Sequence, residues 1–414
     1  MKILVLSMEY SPEISGGVGT HVQELSAILS RTGDSVAVVA CTLGKGEIIW
    51  EENRTICLLP HSSARSSTQS ITKSILEFNK ELAASATKTI LPEFGVPDVI
   101  QCYNWLTFPA AYELRQSLRV PIVTTIHFVS EPAERWWGQA PDPEIVEQEV
   151  FAFRNSDMLI TVSNSMRAIV QKTHRIPDDK IRVVYNGMDV NRFAADTPAL
   201  EKQQKLKAAV APNGEKIILY AGRMNPQKGV SAILASVPEV AREIPNVKYV
   251  FAGDPDSQQF AHEFQQQIKE SPEAGGKIML LGKLPRPKLA ALYKAADLAL
   301  VPSLYEPFGY AAIEAMAAGV PVIATATGGL AEIVDHEQTG LLIPVHTHES
   351  GPYTVDVPAL AAATIRLLAD RNFAQELVAR AALKVRSVFG SQMMAEATRG
   401  AYEAVIGQAQ LGYA

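Results

Sequence analysis

The sequence predicts an α/β protein built from two doubly wound, mostly parallel sheets. Three observations lead there. Short apolar runs recur along all 414 residues, amphipathic segments fall between them, and the pattern restarts near the middle. In the first half the runs are 2–7, 35–40, 55–59, 98–103, 121–127, 158–162 and 181–185. In the second they are 216–222, 247–253, 277–282, 298–302, 321–324 and 340–343. Most are continuously apolar, which is the pattern of strands covered on both faces by crossover helices.

Helical segments lie between the runs at 21–31, 231–243, 258–270, 287–296, 310–318 and 358–369. The stretch 196–213 is largely polar, carries Pro198 and Pro212, and leads into a fresh strand at Lys216. It places the boundary between domains 1–195 and 196–392. Two Rossmann-like domains are then expected to face a cleft. Ligands of open α/β sheets bind beyond the carboxyl ends of strands, so functional residues should follow strands directly.

Composition narrows the function. Hydrophobic residues make up 47% and charged residues 20%, enough apolar surface for two cores. The formal net charge of −6 disfavours binding to a nucleic-acid backbone. Cys41, Cys57 and Cys102 are odd in number, widely spaced and without a Cys-x-x-Cys, so buried free thiols in a reducing compartment are expected. The first apolar run reaches Glu9 too soon for a signal peptide. No run approaches the roughly 18 residues of a membrane span. A cytoplasmic protein without a membrane segment is expected. Residues 70–91 form an amphipathic pattern of mixed charge, which reads as a solvated domain helix rather than a peripheral membrane anchor.

The first strand leads to Gly16-Gly17-Val18-Gly19-Thr20-His21 and a helix. A glycine-rich turn at a helix N-terminus lets backbone N–H groups approach a phosphate; a tight turn with helix capping explains it equally well. A dinucleotide fingerprint from Gly17 would need a small residue where Val22 stands. The second strand also ends in Cys41-Thr42 without the acid that holds a ribose.

The strand 216–222 ends in Gly222-Arg223, with Lys228 five residues on. A guanidinium fork and an ammonium at a strand end suit a diphosphate better than open solvent. After the strand 298–302 comes Glu306-Pro307-Phe308-Gly309-Tyr310, running into an alanine-rich helix that carries Glu314. The start of that helix offers N–H groups from Gly309 to Ala311 to an anion. Glu314 lies about 6 to 9 Å further along the axis, so the two carboxylates reach different parts of one ligand.

The run from Glu306 to Glu314 resembles the Glu, seven residues, Glu motif of retaining glycosyltransferases of the GT-B fold. The chain is most similar to their family 4, which includes sucrose-phosphate synthases and some bacterial glycogen synthases. The likeness takes in Gly16-Gly17-Val18-Gly19, Thr125-Ile126-His127, Val184-Tyr185-Asn186-Gly187-Met188-Asp189, Gly222-Arg223 with Lys228, Gly253-Asp254, and Gly319-Val320-Pro321 with Thr327-Gly328-Gly329. It implies that Arg223 and Lys228 neutralise the departing diphosphate, so that neither metal nor cofactor is needed. It implies that Glu306 and His127 touch the donor sugar and that Glu314 binds the ribose. Gly16, Gly17, Leu284, Phe308, Gly309 and Tyr310 complete the donor side, with Leu284 beside the base. The C-terminal segment from residue 393 to 414 should pack back on the first domain.

Acceptor contacts are expected from Asn104, Trp105 and Trp136, since exposed tryptophans stack on sugars and a paired Trp136-Trp137 could also pack a helix. Many family members carry an acid where Asn104 stands. The expected reaction is transfer of a hexosyl unit, taken to be glucosyl, from a UDP- or ADP-sugar to a carbohydrate. A non-catalytic nucleotide-sugar-binding subunit and a sugar-nucleotide epimerase are the competing expectations.

Overall fold

The computed structural model describes residues 1–10, 16–42, 44–60, 70–130, 140–193, 200–347 and 353–412. The chain forms two compact units. One comprises the described residues up to Met188 and again from Gly390; the other is Asp189–Phe389. The expected boundary at 195/196 falls within 194–199, outside the described residues.

The first unit holds an eight-stranded sheet. Its strands are β1 (Lys2–Ser7), β2 (Ser35–Thr42), β3 (Glu47–Trp50), β4 (Arg54–Pro60), β5 (Val99–Tyr103), β6 (Ile122–Ile126), β7 (Met158–Thr161) and β8 (Ile181–Val183). They lie in the order β3-β4-β2-β1-β5-β6-β7-β8. The pairs between neighbours are parallel except β3 with β4. β5, β6 and β7 are buried along their whole length, Gln101, Thr124, Thr125 and Thr161 included, as befits strands covered on both faces. β3 went unpredicted. It is a four-residue edge strand with all its side chains exposed, and its apolar stretch Ile48-Ile49-Trp50 is too short to stand out.

The second unit holds β9 (Lys216–Ala221), β10 (Val247–Ala252), β11 (Ile278–Leu280), β12 (Leu298–Val301), β13 (Val322–Thr325) and β14 (Leu341–Ile343). All are parallel, in the order β11-β10-β9-β12-β13-β14. A two-strand ribbon, Val345–His346 with Thr354–Val355, follows.

Several helices lie outside the segments expected from sequence, among them Phe108–Leu118, Pro143–Asn155, Asn164–His174 and Arg371–Val388. Each buries only a thin stripe. In Asn164–His174 the buried residues are Met166, Val170 and His174. The 70–91 segment does form a domain helix at Ile71–Ser85. It buries Phe78, Leu82 and Ala83, while Asn79 bonds Leu106 and Ala110 at 2.8 and 3.0 Å. Among the described residues no helix is long and apolar enough to cross a membrane. All three cysteines are buried and free, and burial pushes the Cys102 thiol up to about 12.

The C-terminal helix Ser391–Gly412 belongs to the first unit. Tyr402 is fully buried there and donates to Gln101 Oε1 at 3.0 Å. Arg399 reaches Asp34, which also holds the N-terminal ammonium at 2.8 Å. The start of this helix touches the Asn186-Gly187 motif. A β-carbon at Gly187 would lie 2.6 Å from the Gly390 carbonyl oxygen, so only glycine lets the two backbones meet.

Candidate active site at the strand switch points

In the second unit the strand order is 3-2-1-4-5-6, and its direction reverses between β9 and β12. The carboxyl ends of these two strands therefore stand side by side with no helix between them, which is where such sheets bind ligands. Arg223 and Lys228 follow β9, and Glu306 follows β12. The cations and the acid expected from sequence are thus brought together.

The β9 loop is held by backbone contact with the β10 loop. A β-carbon at Gly253 would lie 1.8 Å from the Gly222 carbonyl oxygen. Met224 N–H donates to the Asp254 carbonyl at 2.9 Å, and Asp256 N–H to the Met224 carbonyl at 3.1 Å. The Asp256 carboxylate then accepts from the Asn225 amide at 2.5 Å and lies 3.5 Å from the Arg223 guanidinium. Asn225 caps the next turn, its Oδ1 accepting the Lys228 N–H at 3.0 Å. Asp256 and Asn225 were missed by sequence reasoning. The signal available was local: Asn before Pro226 is a helix-start pattern. Asp254, unassigned from sequence, accepts the Lys283 N–H at 2.9 Å and so fixes the loop carrying half-buried Leu284.

Lys228 Nζ donates to Glu306 Oε2 at 2.7 Å, and Ser303 Oγ donates to the same oxygen at 3.2 Å. The side chains of Lys228 and Glu306 are 18% and 15% exposed, a mostly buried ion pair open on one side. The Glu306 backbone is clamped by the Thr327-Gly328-Gly329 motif. Gly329 N–H donates to the Glu306 carbonyl at 2.8 Å. A β-carbon at Gly328 would lie 2.1 Å from that carbonyl oxygen, and one at Gly329 2.5 Å from Phe308 Cα. Gln227 braces the same loop: its backbone carbonyl accepts the Leu304 N–H at 2.8 Å and its side-chain amide donates to the Tyr305 carbonyl at 3.1 Å.

Gly309 begins the helix Tyr310–Ala317, whose N-terminus has no side-chain cap. Glu314 is 7% exposed, accepts from Tyr293 Oη at 3.3 Å and lies 3.6 Å from Arg286. Burial, then the Glu314 charge, holds the Tyr293 phenol protonated, well above its ordinary range. Tyr293 therefore stays a donor to Glu314, and Arg286 sets a cation beside the same carboxylate. Phe308 is 3% exposed and packs on Tyr310 and Phe389, with ring centroids 5.4 and 5.8 Å away. It shapes the loop from beneath.

The first unit has a switch point of its own, between β1 and β5. Gly16 caps the helix Gly17–Arg31, and the Glu9 carboxylate accepts the Gly19 N–H at 3.2 Å. An acid thus stands at the helix N-terminus where the sequence suggested a phosphate. Asn104, with φ of 52°, turns its Oδ1 onto the N–H groups of His127 and Phe128 at 2.8 and 3.2 Å. That oxygen orders the strand end carrying His127. Trp105 is 5% exposed and so presents no ring face outward. Trp136 lies outside the described residues.

His127 is 8% exposed and stands 4.8 Å, centroid to centroid, from the ring of His21. Burial, reinforced by His21, holds His127 well below the ordinary histidine range, and burial brings His21 down to about 4. At neutral pH both rings are uncharged, so His127 can exchange hydrogen bonds but brings no full positive charge. The unfolded chain binds a proton at position 21 from about pH 6.5 downward, whereas the folded chain resists until about pH 4. Stability should therefore fall by about 3 kcal/mol across that window on account of His21, levelling off below it. Urea unfolding of the native chain and His21→Phe between these pH values checks this, the native slope being the steeper.

Two switch-point sheets in one chain, one of them presenting cations and acids, form the GT-B architecture expected from the sequence. The profile described as "Glycosyl transferases group 1" matches residues 201–384, and that of "Glycosyltransferase Family 4" matches residues 15–192. An uncharacterized glycosyltransferase of Methanocaldococcus jannaschii is 30% identical over 410 residues, 97% of this chain and 98% of the relative. The glycogen synthase of Mycobacterium tuberculosis is 30% identical over 97% of this chain and 94% of its own length. Among solved structures, the sucrose-phosphate synthase of Thermosynechococcus elongatus superposes with a TM-score of 0.81 at 25% identity, covering 98% of this chain and 99% of that one. The chain belongs to glycosyltransferase family 4.

Proposed function

We propose that this enzyme transfers a glucosyl unit from UDP- or ADP-glucose to a carbohydrate acceptor, with retention at the anomeric carbon and without a metal. The observation that carries the reading is the Lys228–Glu306 ion pair beside Arg223 at one strand switch point. Transfer leaves a nucleoside diphosphate, and the negative charge that grows on it is the barrier's main electrostatic component. Arg223 supplies a bidentate fork and Lys228 a compact charge for it. The uncapped start of the helix Tyr310–Ala317 adds its positive dipole end. Glu314, one turn and more down that helix, takes the ribose hydroxyls.

Glu306 is held by Lys228 and Ser303, and an ion-paired, hydrogen-bonded carboxylate is a poor nucleophile. That favours a same-face reaction, in which the acceptor hydroxyl gives its proton to the departing diphosphate and adds to the same side of the sugar. Glu306 then serves as fixed negative charge beside the developing oxocarbenium ion. Neutral His127 hydrogen-bonds the donor sugar. Two of the named relatives differ in product, by their names glycogen and sucrose phosphate, so the acceptor is left at the level of a carbohydrate.

A thermal-shift panel of UDP-, ADP- and GDP-glucose tests the donor. A donor at a hundred times its Kd stabilises the folded state by about 2.7 kcal/mol, a rise of roughly 5 to 10 °C for units of this size. UDP- or ADP-glucose is expected to give it, and diphosphate release should be unchanged by a chelator. A flat panel, or release abolished by the chelator, overturns the reading.

A further inference from the structure

We propose that His21, locked by Asn186, is a positioning residue for the reaction: its ring holds the His127 imidazole in orientation for the donor sugar. The proposal rests on the placement of His127 at that sugar. Its evidence is a relay of buried side chains that the transfer chemistry leaves otherwise unused.

His21 sits in the second turn of the helix Gly17–Arg31 and is 1% exposed. Its ring stands edge-on to His127, centroids 4.8 Å apart and planes at 77°, and edge-on to Tyr103 at 5.5 Å and 75°. His21 Nδ1 lies 2.8 Å from Asn186 Oδ1. A carbonyl oxygen only accepts, so Nδ1 carries the hydrogen and Nε2 carries a lone pair. One hydrogen bond thereby selects the tautomer. The Nε2 atoms of His21 and His127 are both buried without a partner among the described residues. A buried nitrogen without a partner is destabilising, and two of them lie here on adjoining rings.

Asn186 is itself fixed. It is 1% exposed, and its neighbour Gly187 donates its N–H to Met394 Sδ at 3.1 Å and abuts the Gly390 carbonyl. The start of the C-terminal helix thus sets Asn186, Asn186 sets His21, and His21 packs His127. Asn104 grips the same residue by its backbone from the β5 side. Two asparagines therefore determine the pose of one imidazole. The motif Val184–Asp189 gains a role by this route.

The relay works only with both rings neutral, because a proton on His21 would turn Nε2 from acceptor to donor and place a cation beside His127. Among the described residues, the titratable groups facing the pair are Tyr103, from β5, and each ring for the other; burial keeps the rings uncharged.

The test uses Asn186→Asp and His21→Phe in the full chain, with turnover and donor KM measured from pH 6 to pH 8.5. In Asn186→Asp a carboxylate replaces the amide against the His21 Nδ1–H, which raises the His21 pKa toward neutrality. The ratio of variant to native turnover should then fall at least about tenfold between pH 8.5 and pH 6 on one new ionisation. A merely structural asparagine gives no such limb. His21→Phe keeps an aromatic ring but loses the Nδ1–H bond to Asn186 that locks its orientation against His127. It should lower kcat at least about tenfold with donor KM within about twofold, and the limb should vanish in the double variant. Folded Asn186→Asp with the native pH profile, or His21→Phe with native kcat, overturns the proposal. His127→Ala separates the two levels. If it is harmless, the placement of His127 at the sugar fails and this proposal with it. If it is damaging and His21→Phe is not, only the relay fails.

Discussion

Glu306→Ala is expected to lower turnover at least about a hundredfold while leaving the protein folded. The fold should survive because the loop is held through its backbone. Gly329 bonds the Glu306 carbonyl, Gln227 bonds Leu304 and Tyr305, and the Thr325 hydroxyl bonds the Ser303 carbonyl. None of these contacts needs the carboxylate. What is lost is a negative charge held in place by Lys228 and Ser303 before the reaction begins, so no reorganisation is needed as the sugar becomes cationic. Glu306→Gln separates charge from shape, since the amide can still bond Ser303. If charge matters, glutamine should resemble alanine more than glutamate. Diphosphate release followed by a coupled assay reads both, and a near-native rate for the alanine variant would falsify the site assignment.

Lys228→Ala is expected to be equally damaging, at least about a hundredfold, but with a different kinetic signature. The Asn225 cap bonds the Lys228 backbone, so the turn Pro226–Lys228 should persist. Without the ammonium, Glu306 stands uncompensated next to an arriving diphosphate. Donor KM should rise as well as kcat fall. Glu306→Ala also lowers kcat but shifts nucleotide affinity the other way, freeing Lys228 for phosphate and tightening nucleoside diphosphate as a product inhibitor. The double variant should be less impaired than the two losses multiplied, because each single change leaves one charge of a close pair unmatched. Steady-state kinetics with product inhibition measures all three. Multiplicative losses with unchanged product affinity would show the two side chains acting separately.

The cluster Arg223, Lys228 and Glu306 was legible because its residues lie one loop away from apolar strands. Arg223, Lys228 and Glu306 each follow a run whose burial is readable, and a strand end in a parallel sheet is a ligand-facing position. Groups that act across long separations carried no such signal. Asp256 is 33 residues from Arg223 and joins it only because β9 and β10 are neighbours in register. His21 and Asn186 are 165 residues apart. The acceptor candidates show the opposite problem. Asn104 and Trp105 follow a strand as a site residue should, yet the first turns its carbonyl onto the His127 backbone and the second is buried. A position after a strand does not say whether a side chain faces outward or back.

The sequence by itself determined the fold class, the two sheets and which charged residues follow the strands of the second switch point, because apolar runs, glycines at strand ends and cations beside acids are local properties. Tertiary structure alone decided which of these groups are paired and in what state of charge. Lys228 meets Glu306 because the strand order reverses between β9 and β12, and His127 is neutral because folding buries it against His21. Desolvation and pairing depend on neighbours in space, and those are set by topology, not by distance along the chain.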